Sequence, residues 1–118
     1  NGGNLIAVIT NDAWWGDTPG YRQHLTFSTI RAIETRRDVV RSANTGISCF
    51  VDRRGVVHQP TAWWVPTAER RTVHLNDELT FFVRHGDLVG KGAVALSILS
   101  LIVSLGIRLS GRRAAPQE

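Results

Sequence analysis

The stretch from Leu88 to Leu109 places the first constraint on this chain. Gly92 to Ile107 is sixteen consecutive residues without a charge, and Leu88-Val89-Gly90 with Leu109 extend the apolar run to about 22. At about 1.5 Å of rise per residue, a helix of that length crosses the roughly 30 Å hydrocarbon layer of a bilayer. Lys91 and Arg108 lie near its ends, where long cationic side chains reach the headgroup level. Ser97, Ser100 and Ser104 share a face that suits packing against other membrane helices. The competing reading is a buried core helix, because the strictly uncharged run is shorter than the usual span. The expectation is a transmembrane helix over 88–109 with 110–118 as a tail. Arg108, Arg112 and Arg113 follow the span closely, whereas Lys91 and Arg84 are offset by Asp87, so the denser positive charge makes the tail cytoplasmic.

At the other end of the chain, Asn11-Asp12-Ala13-Trp14-Trp15-Gly16-Asp17-Thr18-Pro19-Gly20-Tyr21-Arg22-Gln23-His24 crowds two tryptophans, two acids and two turn signals into one connection. Leu5-Ile6-Ala7-Val8-Ile9 precedes it, continuous and apolar, as a strand buried on both faces reads. Asp17 or Thr18 can cap the helix that follows, with Pro19 at its first position, where its missing N–H costs nothing. A loop at the carboxyl end of a buried strand, running into a helix N-terminus, is where α/β proteins commonly place ligands. A plain core-edge plug is the alternative.

Charge excludes little but directs attention. The chain has 14 Lys and Arg against 10 Asp and Glu, and Lys91 is its only lysine. A balance of +4 invites a nucleic-acid reading, yet the arginines fall as separated pairs at element ends and no recognition-helix or RNA-binding signature accompanies them, so no nucleic-acid partner is expected. One cysteine allows no internal disulfide. The absence of methionine is what a piece of a longer polypeptide shows, and Asn1-Gly2-Gly3 has neither the basic nor the apolar part of a signal peptide.

The first helix is expected from about Pro19 or Tyr21 to Arg36, with Tyr21, Leu25, Thr29, Ala32 and Ile33 on its apolar side. Its other side carries His24, Phe27, Arg31 and Glu34, and the last two can pair across three residues. Asp38 to Ser42 reads as a strand, and Asn44-Thr45-Gly46 as a turn because Asn and Gly tolerate positive φ. Gly46 to Val51 is a second strand; Asp52-Arg53-Arg54-Gly55 turns it into the hairpin partner Val56-Val57-His58. Pro60 and Pro66 bracket Trp63-Trp64 in an irregular loop, and Arg71 to Leu75 alternates as a half-exposed strand.

Taken in order, the Asn-Asp-x-Trp-x-Gly-Asp loop, Gln23-His24, Arg31-Ala32-Ile33-Glu34, Arg41-Ser42-Ala43-Asn44-Thr45-Gly46-Ile47-Ser48, Val51-Asp52-Arg53-Arg54-Gly55-Val56, Leu79-Thr80, Gly86-Asp87 and the closing apolar helix resemble the C-terminal third of the bacterial apolipoprotein N-acyltransferases. That family is the membrane-bound branch of the nitrilase, or carbon–nitrogen hydrolase, superfamily. The Arg-Ala-x-Glu helix and Asn-x-Gly-x-Ser strand alone would give only the superfamily. The resemblance implies an α/β fold: residues 1–87 as the C-terminal part of a nitrilase-like α-β-β-α sandwich, then the transmembrane helix. It implies an enzyme that moves an acyl chain from a phospholipid donor to the N-terminal diacylglyceryl-cysteine of an apolipoprotein acceptor through a Cys thioester. It also implies the inner membrane of a bacterium, with the soluble part periplasmic, and no cofactor.

In that family a Glu-Lys-Cys triad does the chemistry, glutamate as base, cysteine as nucleophile and lysine at the oxyanion. None of its positions matches here, since the family's nucleophile precedes the strand that begins near Leu5. Cys49 is expected mid-strand as a small buried group, inert in a setting that does not favour its thiolate. No catalytic residue is therefore expected within these 118 residues, and Asn11, Asp12, Trp14, Trp15, Asp17 and His24 are the candidate substrate-pocket residues. His24 has no cysteine or second histidine near it in sequence, so no metal site is expected. A soluble carbon–nitrogen hydrolase would have no reason to end in a membrane helix, and a membrane-anchored binding module would need no upstream triad.

Overall fold

The computed structural model describes residues 2–113. Residues through Arg84 form one compact unit and those from His85 a second. In the first, strand β1 (Ile6–Asn11) leads through a 3₁₀ turn (Ala13–Trp15) to helix α1 (Gly20–Thr35), which returns the chain to β2 (Val39–Asn44). β1 and β2 pair in parallel from Ile6 opposite Val39 to Asn11 opposite Asn44. β2 then pairs antiparallel with β3 (Cys49–Val51), and β3 with β4 (Val57–His58), giving one mixed sheet in the order β1-β2-β3-β4.

α1 supplies the crossover that a parallel pair requires and covers one face of the sheet. Ala32, Val39, Cys49 and Val51 form the buried centre, with Ile6, Val8, Leu25, Ile47 and Val57 packed around them. The opposite face of β1 is open. Ala7, Ile9 and Asn11 are exposed, Ile9 to 88 % of its side-chain limit, so the strand alternates instead of being buried on both faces. The continuous apolar spelling of Leu5 to Ile9 asks for a second covering layer that these residues do not themselves provide.

Pro19, expected as the first helical residue, is instead the N-cap of a helix that begins at Gly20, and neither Asp17 nor Thr18 occupies that position. Thr18 Oγ1 accepts from the Gly20 amide at 3.3 Å and donates to the Trp15 carbonyl at 2.7 Å, fixing the turn just before the helix. Tyr21, Ser28 and Ala32 are its buried stripe; Ile33, expected beside them, is 45 % exposed and instead packs its tip against Gly55 in the hairpin turn. Arg31 and Glu34 pair at 2.7 Å on the surface.

The hairpin is built on Asp52, whose Oδ1 accepts the amides of Arg54 and Val56 while Gly55 takes φ +85°. In the preceding turn the residue with positive φ is Thr45 at 62°, not Asn44 or Gly46. Gly46 is needed there for space, as described below. Residues 71–75, expected as a strand, carry no regular secondary structure and join no sheet. Their backbone is tied by side chains instead, the Asp38 carboxylate accepting the His74 amide at 2.7 Å and Asn76 donating to the Arg36 carbonyl at 2.8 Å.

α2 (Phe81–His85) lies in the first unit up to Arg84, and the second unit carries α3 (Leu88–Arg113). Asp87 Oδ1 accepts the Gly90 amide at 2.7 Å and caps α3. Leu88–Leu109 is long and apolar enough to cross a membrane, with a mean hydropathy of 2.1, and its large apolar side chains point outward all round. The helix continues to Arg113, so 110–113 of the expected tail are helical and 114–118 lie outside the described residues.

Candidate substrate-pocket wall

The crowded loop is organised from beneath by one carboxylate. Asn11 Oδ1 accepts the Ala13 amide at 3.1 Å, turning the chain as it leaves β1 and sending Asp12 inward. Asp12 is fully buried. Its Oδ1 accepts from Thr10 Oγ1 at 3.2 Å and meets His24 Nδ1 at 2.9 Å, while its Oδ2 accepts from Arg41 Nη2 at 2.8 Å. Arg41, 2 % exposed, spends its other donors on Ser28 Oγ at 3.2 Å and the Ile47 carbonyl at 3.2 Å. A guanidinium and a carboxylate out of water are tolerable only when both are matched in this way.

Gly46 closes the arrangement. A methyl group there would run into the Asp12 carboxylate, so the β2–β3 turn can lie on Asp12 only as glycine. Burial by itself raises the Asp12 pKa. The hydrogen bonds from His24 and Arg41, with their charges, outweigh it and hold the carboxyl below its usual value.

The six expected pocket residues therefore separate. Asp12, Trp15 and His24 come together, the Trp15 and His24 ring centroids 6.4 Å apart. Asn11 shapes the turn. Trp14, 85 % exposed, and Asp17, also exposed, stand outward without a ring contact or ion pair among the described residues. A second loop meets the start of α1, where Trp63 stacks on Tyr21 at 4.4 Å. Beside it, a polar recess of about 300 Å³ is lined by Ser42, Asn44, Gly46, Ser48, Thr61 and Trp64.

Arg41, Ser28 and Gly46 hold Asp12 and the loop in place, and sequence reasoning passed over that role. Their signal is the period of two in β2: Arg41 must face the same way as Val39, which puts a charge in the core and demands an acid to meet it. Cys49 is 2 % exposed in the core centre, and burial pushes its thiol pKa up against a smaller opposing effect of the Arg41 charge. No base bonds to it among the described residues. Such a thiol is a packing group.

A mixed sheet whose parallel strands end in a shaped aromatic loop, in a chain that also carries one helix long and apolar enough to cross a membrane, defines an α/β protein with a candidate membrane span. No protein-family model matches the chain. Its sequence is similar to "Apolipoprotein N-acyltransferase" of Chlorobaculum tepidum, 33 % identical over 88 % of this chain and 20 % of that protein. It is also similar to the proteins of that name from Geobacter metallireducens, 36 % identical over 80 % of this chain and 18 % of the relative, and Thermotoga maritima, 34 % over 96 % and 22 %. The chain belongs to the apolipoprotein N-acyltransferases and matches a C-terminal part of them. It spans about a fifth of the length of these relatives.

Proposed function

We propose that this chain forms part of an enzyme that transfers an acyl group from a membrane phospholipid to the α-amino group of a lipid-modified N-terminal cysteine on a lipoprotein. The transfer passes through a thioester on a cysteine outside these residues. Similarity along 80–96 % of the chain to proteins of that name is the observation that carries the reading. The exposed face of β1 supports a larger sandwich of the nitrilase type, because Ala7 and Ile9 offer an apolar surface for a second sheet. The outward apolar surface of Leu88–Leu109 supports anchorage in the inner membrane, with the sheet unit periplasmic.

In this reading the Trp14–Trp15 loop is a wall of the substrate pocket. Trp14 offers apolar surface to an acyl chain, Trp15 is the ring nearest His24, and Asp12 holds the loop from below without touching substrate. Asn11 and Asp17 shape and border it. No step of the chemistry is assigned to this chain's own side chains. Binding energy and orientation are what such a wall contributes, and misplacement by about 1 Å at a wall can cost a hundredfold in rate.

Trp14→Ala in the intact protein tests the reading. An exposed tryptophan can be removed with little loss of folded protein, whereas a buried one costs about 3–5 kcal/mol. Acyl transfer per folded molecule should fall while the amount of folded protein stays at the parental level. Parental transfer per folded molecule would make the loop a surface feature only.

A further inference from the structure

Among the described residues, one buried side chain is left without its partner: Arg37. It is 7 % exposed, and its enclosed Nε has no hydrogen bond. Its Nη1 donates to the Thr35 carbonyl at 3.4 Å, and its Nη2 makes no hydrogen bond among the same residues. No described carboxylate pairs with it, since Asp12, Glu34 and Asp52 meet Arg41, Arg31 and His58. Asp38, its neighbour in sequence, accepts the Arg53 amide at 3.0 Å and the His74 amide at 2.7 Å. Arg41, equally withdrawn from water, has an acid and two further acceptors. The C-terminus of α1 attracts positive charge to Thr35, but that attraction is small beside the cost of taking a guanidinium out of water.

The free edge says what is missing. Nε and Nη2 present two parallel N–H groups, and a carboxylate is the side-chain group whose two oxygens take both while matching the charge. A single carbonyl would satisfy one donor and leave the charge unmet. Arg37 lies two residues before β2 and beside the start of β1, where the Ile6 amide donates to the Asp38 carbonyl at 3.1 Å. β1 is the outer strand of this sheet, and Ala7 and Ile9 on it are exposed, so a further element can cover that flank. The chain spans about a fifth of its relatives and matches a C-terminal part of them, so most of the polypeptide that can cover it lies upstream. The aromatic loop is at the opposite end of the strands, about 20 Å away, beyond the reach of a group bound at Arg37.

We propose that Arg37 binds an aspartate or glutamate from the preceding part of the same polypeptide through paired bonds to Nε and Nη2. β2 runs from this end to Arg41, which holds Asp12, so the pair fastens the sheet that carries the pocket wall to the upstream polypeptide. The inference goes beyond the acyl-transfer reading and does not depend on it, because its test reads stability and not transfer.

Arg37→Leu is made in the intact protein, which is purified in detergent free of phospholipid and unfolded by heat. Removing an unpaired buried charge raises or preserves the midpoint, whereas removing one partner of a buried pair strands the other. The midpoint should therefore fall by several degrees. On the Arg37→Leu background, each upstream Asp is changed to Asn and each Glu to Gln, one at a time, and one of these changes should restore most of the loss. If Arg37→Leu gives no folded protein, the same set is scored by the return of folded protein. A midpoint unchanged or raised in Arg37→Leu, or a loss that no upstream change restores, overturns the proposal. A loss that appears only when an anionic phospholipid is added back also overturns it, and assigns the fork to a lipid phosphate.

Discussion

Arg41 and Asp12, 29 residues apart, meet at 2.8 Å with both side chains withdrawn from water. The pair joins β2 to the loop that follows β1, and through Ser28 and His24 it reaches α1 at two points. The loop's conformation is thus a property of the sheet and helix together.

Arg41→Leu leaves the Asp12 carboxylate buried and uncompensated, which costs about 3–5 kcal/mol. Arg41→Lys should rescue little, because one ammonium cannot replace three directed donors to Asp12, Ser28 and Ile47. The Asp12→Asn/Arg41→Leu double variant should lose less than the sum of the single losses. Denaturant unfolding of the intact protein and its single and double variants measures this coupling.

Gly46→Ala drives a methyl group into Asp12 and should destabilise by roughly 1–3 kcal/mol. Gly92→Ala, with open space around it in α3, serves as the control and should be near neutral or slightly stabilising. Equal protease resistance of the two variants would contradict the close approach of Gly46 to Asp12.

Asp52 gives the hairpin a pH dependence. The His58 side chain at 3.0 Å, outweighing burial and helped by the Val56 and Arg54 amides, lowers its pKa from 3.8 to about 2. A depressed folded-state pKa contributes stability above the unfolded value of 3.8, and that contribution is lost as pH falls from there through about 2. Asp52→Asn should therefore be destabilised relative to the parent at pH 7, with the difference shrinking as pH drops toward 2. Paired unfolding curves across that range check the sign.

Much of this arrangement is legible in the residues. The hairpin from Gly46 to His58 and the helix after Pro19 follow from local turn and cap chemistry. The outward apolar helix over 88–109 follows from an uninterrupted run. What was not legible depended on distant partners. Nothing local to Asp12 says that Arg41 lies beside it, or that Gly46 leaves room for it. Residues 71–75 alternate like a strand yet find Asp38 and no partner strand, because pairing is decided by the rest of the sheet. Leu5 to Ile9 spells burial on two faces, and only one is covered.

With the expected orientation, a C-terminal reporter that is active only in the cytoplasm should be active when fused after the span, since Arg108, Arg112 and Arg113 retain that end. Activity of a periplasm-only reporter at the same position would invert the topology.

The central claim is that this chain shapes a pocket whose covalent chemistry is performed elsewhere in the polypeptide. Trapping the thioester on the intact protein with a labelled phospholipid, then mapping the adduct, tests it directly. The label should fall on a cysteine outside these 118 residues, and Cys49→Ala should retain transfer activity. An acyl adduct on Cys49, with activity lost in Cys49→Ala, would contradict it.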